Sequence, residues 1–198
     1  MCSEYEGPKP EHKKEIDRKL REEIFGFVPH ERTRPTNAAP IILPFEDRLE
    51  YREYRWGFVV AFDPAPMFNA RSETITQKRT FKPYVGNRCL IPACSFKEGG
   101  PTFFRPGHDI FFFPGLWRDD GPDGLRYTML TCEPNESVKP HKTRMPFVLR
   151  DDDLLEWLRG DWERVLTTPD HSPLEIVLPP PPEVKVKKKK ADDHPGLF

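Results

Sequence analysis

Proline recurs 24 times in this 198-residue chain, spread along it rather than gathered in one block. Each proline fixes φ and removes a backbone donor, which disfavours long helices and favours turns, irregular segments and edge strands. Pro29, Pro35, Pro40 and Pro44 exclude continued helix and leave Arg34 to Leu43 extended and turning. Pro64 and Pro66 break the end of a strand expected over Glu53 to Phe62. The fold must therefore be assembled from short pieces. With 15 Phe, 4 Trp and 5 Tyr, it still has the material for one real core despite 32% charged residues.

Between the breaks, periodicity predicts the remaining elements. Ile16, Leu20 and Ile24 repeat at helical spacing and predict a first helix over Glu11 to Phe25. Arg88 to Ala93 reads as a buried strand. Asp109 to Phe113 and Leu125 to Thr131 read as strands on either side of an Asp/Gly/Pro loop at 119–124. Pro146 to Leu149 is a further short strand. Asp151 to Leu166 predicts a second helix with Leu154, Leu158 and Val165 inward. The expected architecture is one α+β domain, rich in short strands, over residues 1–170. Residues 171–198 carry the run Pro179 to Pro182 and the lysines Lys185 and Lys187 to Lys190. They read as an extended tail unable to bury a core, its lysines either solvated or adding sequence-blind affinity for nucleic acid.

No apolar run approaches 18 residues and no signal-peptide pattern follows the N-terminus, so no membrane is expected and the cytosol is the default compartment. The four cysteines form no Cys-x-x-Cys pair, which argues against a zinc site, and Cys89, Cys94 and Cys132 read as core thiols. A formal net charge of −1 argues against a wholesale polyanion binder. Charge is nevertheless uneven. Arg71, Lys78, Arg79, Lys82 and Arg88 face only Glu73 between residues 71 and 88, and Lys139, Lys142, Arg144 and Arg150 stand in a stretch without an acid. If the two stretches converge they suit a phosphate backbone; otherwise they are separate solvated faces.

Cys2 stands apart from the other cysteines. It follows Met1, and a small second residue favours removal of the initiator. A chain beginning at Cys2 would carry a thiol and an α-amine on adjacent carbons. That amine titrates at roughly pH 7.7–8.0 against about 10.4 for lysine, so much of it is nucleophilic near neutrality. An aldehyde would condense with the amine to an imine, and the thiol would close on the imine to a thiazolidine.

Three segments accompany Cys2. Phe68-Asn-Ala-Arg-Ser-Glu-Thr74 alternates Asn69, Arg71 and Glu73, which an extended segment would place on one face. Cys89 to Glu98 runs an apolar strand into an acid. Pro140-His-Lys-Thr-Arg-Met-Pro146 holds His141 in a basic loop bounded by prolines. With Met1-Cys2, Thr36-Asn-Ala-Ala-Pro40, Arg55-Trp-Gly57, Phe81-Lys-Pro83 and Arg88-Cys89, these segments fall in one order over roughly residues 2–160. In that order the chain resembles the SOS response-associated peptidase family, proteins that crosslink to abasic sites in single-stranded DNA.

The resemblance implies a strand-rich α+β fold with a mixed, partly barrel-like sheet and a few flanking helices. It implies that Cys2 is the crosslinking nucleophile, that Asn69 holds the N-terminal residue, and that Glu98 moves protons during imine formation. His141 would assist sugar-ring opening or reversal, since an imidazole changes charge near neutrality. Arg71 would bind the phosphate beside the lesion. Asn37, Pro40, Phe62, Lys78, Arg79 and Lys82 would meet DNA, with Phe62 either stacking on a base or entering the core. The implied partner is single-stranded DNA bearing abasic sites, met by a monomer, with no cofactor and no metal. The same residues could remove Met1 autocatalytically, and a lyase-type activity is also implied. Two departures stand out: Ser3-Glu4 replaces Gly-Arg, and Gly99-Gly100 follows Glu98 where a tryptophan is usual. Rival readings are a thiol peptidase acting on other proteins and a non-covalent single-strand binding module.

Overall fold

The computed structural model describes residues 2–98, 100–121 and 124–179. Met1, Gly99, the centre of the 119–124 loop and the lysine run after Pro182 lie outside the described residues.

Two sheets carry the fold. The first strand, β1 (Glu4–Glu6), pairs antiparallel with β2 (Arg32–Thr33). The larger sheet takes β3 (Ala38–Phe45) and β4 (Arg48–Trp56), paired along their whole length. A separate small hairpin follows, β5 (Phe58–Val60) with β6 (Asp63–Met67), and then β7 (Asn69–Arg71). Next come β8 (Arg88–Ala93), β9 (Ser95–Lys97), β10 (Thr102–Phe104), β11 (Phe111–Asp119) and β12 (Leu125–Cys132). The short strands β13 (Met145–Pro146) and β14 (Glu175–Val177) complete the set. The order β11-β8-β3-β4-β12, with β12 pairing back onto β11, closes a five-stranded barrel. Most pairs are antiparallel, but β12 runs parallel to β4 and β7, so the sheet is mixed as expected.

Pro40 and Pro44 lie inside a strand, although the prolines alone predict a turning segment there. Strand β3 keeps its full ladder to β4 and meets β8 only at Ile42↔Leu90. The missing donors thus thin one side of the strand without breaking it. The strand expected at 53–62 starts earlier and stops at Trp56, because Gly57 turns the chain at φ +117°. Pro146 to Leu149 forms a strand only at its first residue, although Phe147, Val148 and Leu149 are buried.

Both expected helices are shorter than their apolar periodicity predicts. The first is α1 (Lys13–Leu20), closed by Arg21 in the left-handed conformation. Ile24 is buried beyond its end, its N–H donating to Asp17 Oδ1 at 3.0 Å. The second divides into α2 (Leu154–Arg159) and α3 (Trp162–Leu166) at Gly160, and Asp161 caps α3 by accepting from Arg164 N. Leu154, Leu158 and Val165 do face the core. Residues 171–177 depart from the tail reading, since β14 adds to β10 and Asn135 Nδ2 donates to Ser172 O at 2.8 Å.

Aromatic side chains join the two sheets. Tyr5 and Tyr127 share a hydroxyl hydrogen bond at 2.7 Å, and Trp56 stacks on Tyr127. Trp56 Nε1 donates to Phe68 O at 2.6 Å, which holds the start of β7 against the barrel. Strand β1 lies inside the second sheet, in the order β14-β10-β9-β1-β2. Paired on both sides, it fixes the position of Cys2 just ahead of it.

Candidate functional site

Cys2 is fully buried, and its carbonyl accepts a hydrogen bond from Asn69 Nδ2 at 3.0 Å. Asn69 reaches it because β7 is held in parallel register on β12, Met129 opposite Asn69. The Cys2 thiol donates to Glu4 O at 3.4 Å. Burial pushes that thiol well above the ordinary range, and the Glu98 carboxylate pushes in the same direction. The coupling places Glu98 in the electrostatic neighbourhood of Cys2. Glu98 follows β9, which pairs with β1, so sheet register brings strand end and N-terminus together.

Glu98 is itself fully buried. Burial raises its carboxyl above the usual carboxylate value, while Lys142 draws it the other way. Lys142 is the neighbour of His141, so the turn after β12 comes close to Glu98. The His141 residue is exposed, with its N–H on Val138 O and its ring edge-on to Phe103 at 5.8 Å. Phe103 stacks on Phe96 of β9, which seats the His141 turn over the strands flanking Glu98.

Arg71 ends β7 exposed, beside a cleft of about 1210 Å³. Phe62, Asn69, Arg71, Lys78 and Arg79 line this cleft together, and Phe62 at 74% exposure is no core residue. Lys82 is exposed next to it in the short turn Lys82–Tyr84. Asn37 is exposed on a different turn, where its Oδ1 accepts from Arg34 N at 3.0 Å. Pro40 is buried in β3 opposite Glu53.

The alternation of Asn69, Arg71 and Glu73 does not persist. The chain leaves the strand for a single turn at Ser72–Thr74, which takes Glu73 off that face. Arg144 grips Glu73 with two nitrogens at 2.7 and 2.8 Å, and also bonds Glu133 at 2.8 Å and Thr131 O at 2.7 Å. Against its own partial burial, Glu73 is held below the usual carboxylate value by Arg144. Three of the four cations of the second basic stretch therefore pair with acids of the chain: Arg144 with these, Arg150 with Asp153 and Lys139 with Glu136. Of the first stretch, Arg88 is also structural, donating to Trp157 O and Val85 O.

Sequence reasoning overlooks Lys142 as a neighbour of Glu98 and Arg144 as the tie between the His141 turn and the segment after β7. An arginine three residues after a candidate histidine and one before a strand was the available signal.

The profile of the SOS response associated peptidase family (SRAP) matches residues 1–180. Abasic site processing protein YoqW of Bacillus subtilis is 33% identical over 157 residues, spanning 67% of this chain and 70% of that protein. Abasic site processing protein YoaM of the same organism is 33% identical over 161 residues, spanning 69% and 71%. Among solved structures, a protein of Bordetella bronchiseptica superposes with a TM-score of 0.72 at 22% identity, covering 89% of this chain and 99% of that one. A phage-related protein of the same organism gives 0.72 at 16% identity, covering 89% and 93%. At those identities the structural likeness establishes the fold alone.

Proposed function

Because the chain belongs to the SOS response associated peptidase family, we propose that it recognises abasic sites in single-stranded DNA and links to them covalently through Cys2 after loss of Met1. The curated relatives are named for processing abasic sites, and the Cys2 environment suits an aldehyde. The single observation that carries the reading is the Asn69 hydrogen bond to the Cys2 carbonyl beside a buried Glu98.

In the proposed sequence, Arg71 and the Lys78–Arg79 pair draw the phosphates into the cleft beside Phe62. The freed α-amine attacks the ring-opened aldehyde and water leaves. The Cys2 sulfur then adds to the imine carbon while its proton passes to nitrogen, closing the thiazolidine with no further leaving group. Burial raises the proton affinity of the Glu98 carboxyl above that of an ordinary carboxylate, which makes it the better base for the proton exchanges of imine formation. His141, exposed on the turn after β12, would serve sugar-ring opening or reversal. Removal of Met1 by the same residues belongs to this proposal, as does lyase-type chemistry on the lesion.

A thiol peptidase acting on other proteins fits the site less well. Repeated cleavage of other chains requires a thiol held ready as thiolate, which burial and Glu98 both oppose at Cys2, whereas removal of Met1 is a single event within the chain. Incubation with an abasic oligonucleotide, followed by a denaturing gel, tests the proposal. An adduct band that survives denaturation and is absent with undamaged DNA is expected. Binding without such a band supports a non-covalent module instead.

A further inference from the structure

Glu4 stands two residues from Cys2 and is buried at 6% exposure. Three cations converge on it. Arg34 Nε lies 2.7 Å from Oε2, Lys97 Nζ 2.9 Å from Oε1, and Arg32 Nε 3.2 Å from Oε1. Against the burial of the carboxyl, Lys97 and then Arg34 hold it below the usual carboxylate value, so it is ionised. Three cations on one carboxylate leave two positive charges in excess.

The cations themselves remain open to solvent. Side-chain exposure is 62% for Arg34, 50% for Arg32 and 36% for Lys97, against 8% for Glu4. Both arginines engage Glu4 through Nε, and among the described residues neither pairs with a second acid. A guanidinium used this way keeps its forked end for another oxyanion. The backbone supports the placement: Lys97 O accepts from Ser3 N at 3.4 Å, and Arg34 opens the turn that exposes Asn37.

On this basis, and resting on the DNA-binding reading above, we propose that Arg32, Arg34 and Lys97, gathered by Glu4, form a second phosphodiester clamp. It holds the DNA strand at the β1 end of the site, while Arg71 holds it from β7. The acid at position 4 then does not repel the strand; it organises three basic side chains around itself.

The test uses the full chain carrying Cys2→Ala, so that binding is reversible, and single-stranded oligonucleotides with one abasic site. Replacing Arg32 and Arg34 together by Gln should lower affinity and reduce the slope of log K against log salt by about 0.7 for each phosphate no longer neutralised. Replacing both by Lys should retain the slope, which separates a missing charge from a misfolded chain. Walking one uncharged methylphosphonate linkage along the oligonucleotide should reveal a linkage whose neutralisation weakens the parent but not the double Gln variant. That linkage should differ from the one to which Arg71→Ala becomes indifferent. An unchanged salt slope in a folded double Gln variant overturns the clamp, as does a double Lys variant that loses as much as double Gln. Neither outcome touches the crosslinking reading, which is judged by the denaturing gel with Cys2 intact.

Discussion

The two ends of β1 each carry a cysteine, and they are built differently. Cys2 lies just ahead of the strand. Cys94 lies at the other end, its N–H on Glu6 O at 2.8 Å. Cys94 has the more conventional nucleophile's company, with His12 Nδ1 3.4 Å from its sulfur and a cleft of about 800 Å³ in front of it. Yet burial pushes its thiol up to about 12, and the sulfur donates to Gly7 O at 3.2 Å. A nearby imidazole does not activate a thiol that its surroundings keep protonated. Cys2 has no imidazole bonded to its sulfur among the described residues, but its backbone is pinned by Asn69 and it feels a buried carboxyl. In the proposed chemistry, then, the α-amine and the proton-handling acid count for more than the thiol's own ionisation.

Exchanging the two cysteines' fates puts this contrast at greatest risk. Cys2→Ala should abolish the denaturation-resistant adduct on an abasic single strand, and Cys94→Ala should leave its yield unchanged. Adduct retained by Cys2→Ala and lost by Cys94→Ala would move the chemistry to the wrong end of the strand. Next in size, Glu98→Gln keeps shape and polarity but cannot accept a proton. Single-turnover crosslinking at saturating protein should slow by about 10²–10⁴-fold while affinity stays near that of the parent. If affinity collapses and the rate holds, Glu98 is a structural acid.

Smaller still, Arg71→Ala should weaken binding and flatten its salt dependence by about 0.7 in slope, read by fluorescence anisotropy at several salt concentrations. The same change at Arg88, bound to helix carbonyls, should leave that slope alone. Least of all is an effect on stability. Burial raises the Glu98 carboxyl above its ordinary value of 4.5, so its folded form favours the proton and loses stability as pH rises. Glu98→Gln should therefore melt higher than the parent near pH 8, with the gain shrinking as the pH falls toward 4.5. A gain that is constant across this range would show that Glu98 is not held up by burial.

Much of this arrangement is open to sequence reading. Cys2, Asn69, Arg71, Glu98 and His141 stand out by residue type and order, and Arg88 to Ala93 matches its strand because a buried strand is a continuous apolar run. Helix ends are not legible at Arg21 and Gly160, where a local backbone choice overrides apolar spacing that continues past it. Charge counting fails in another way. It records Lys139 to Arg150 as basic surface, but cannot register the acids that Arg144 and Arg150 meet in the folded chain.

The strand-rich class is written in the chain alone, because prolines and apolar periodicity act locally. The break points are not: Pro40, Pro44, Pro64 and Pro66 all lie within strands. Which charges remain available is a matter of the tertiary fold. Glu73 is consumed by Arg144, while Glu4 collects Arg32, Arg34 and Lys97 from two other strands and the turn between β2 and β3. The burial of Glu98 near Cys2 likewise arises only through the pairing of β9 with β1. Burial and long-range pairing set the electrostatics of a side chain, and neither is a property of its immediate neighbours in the chain.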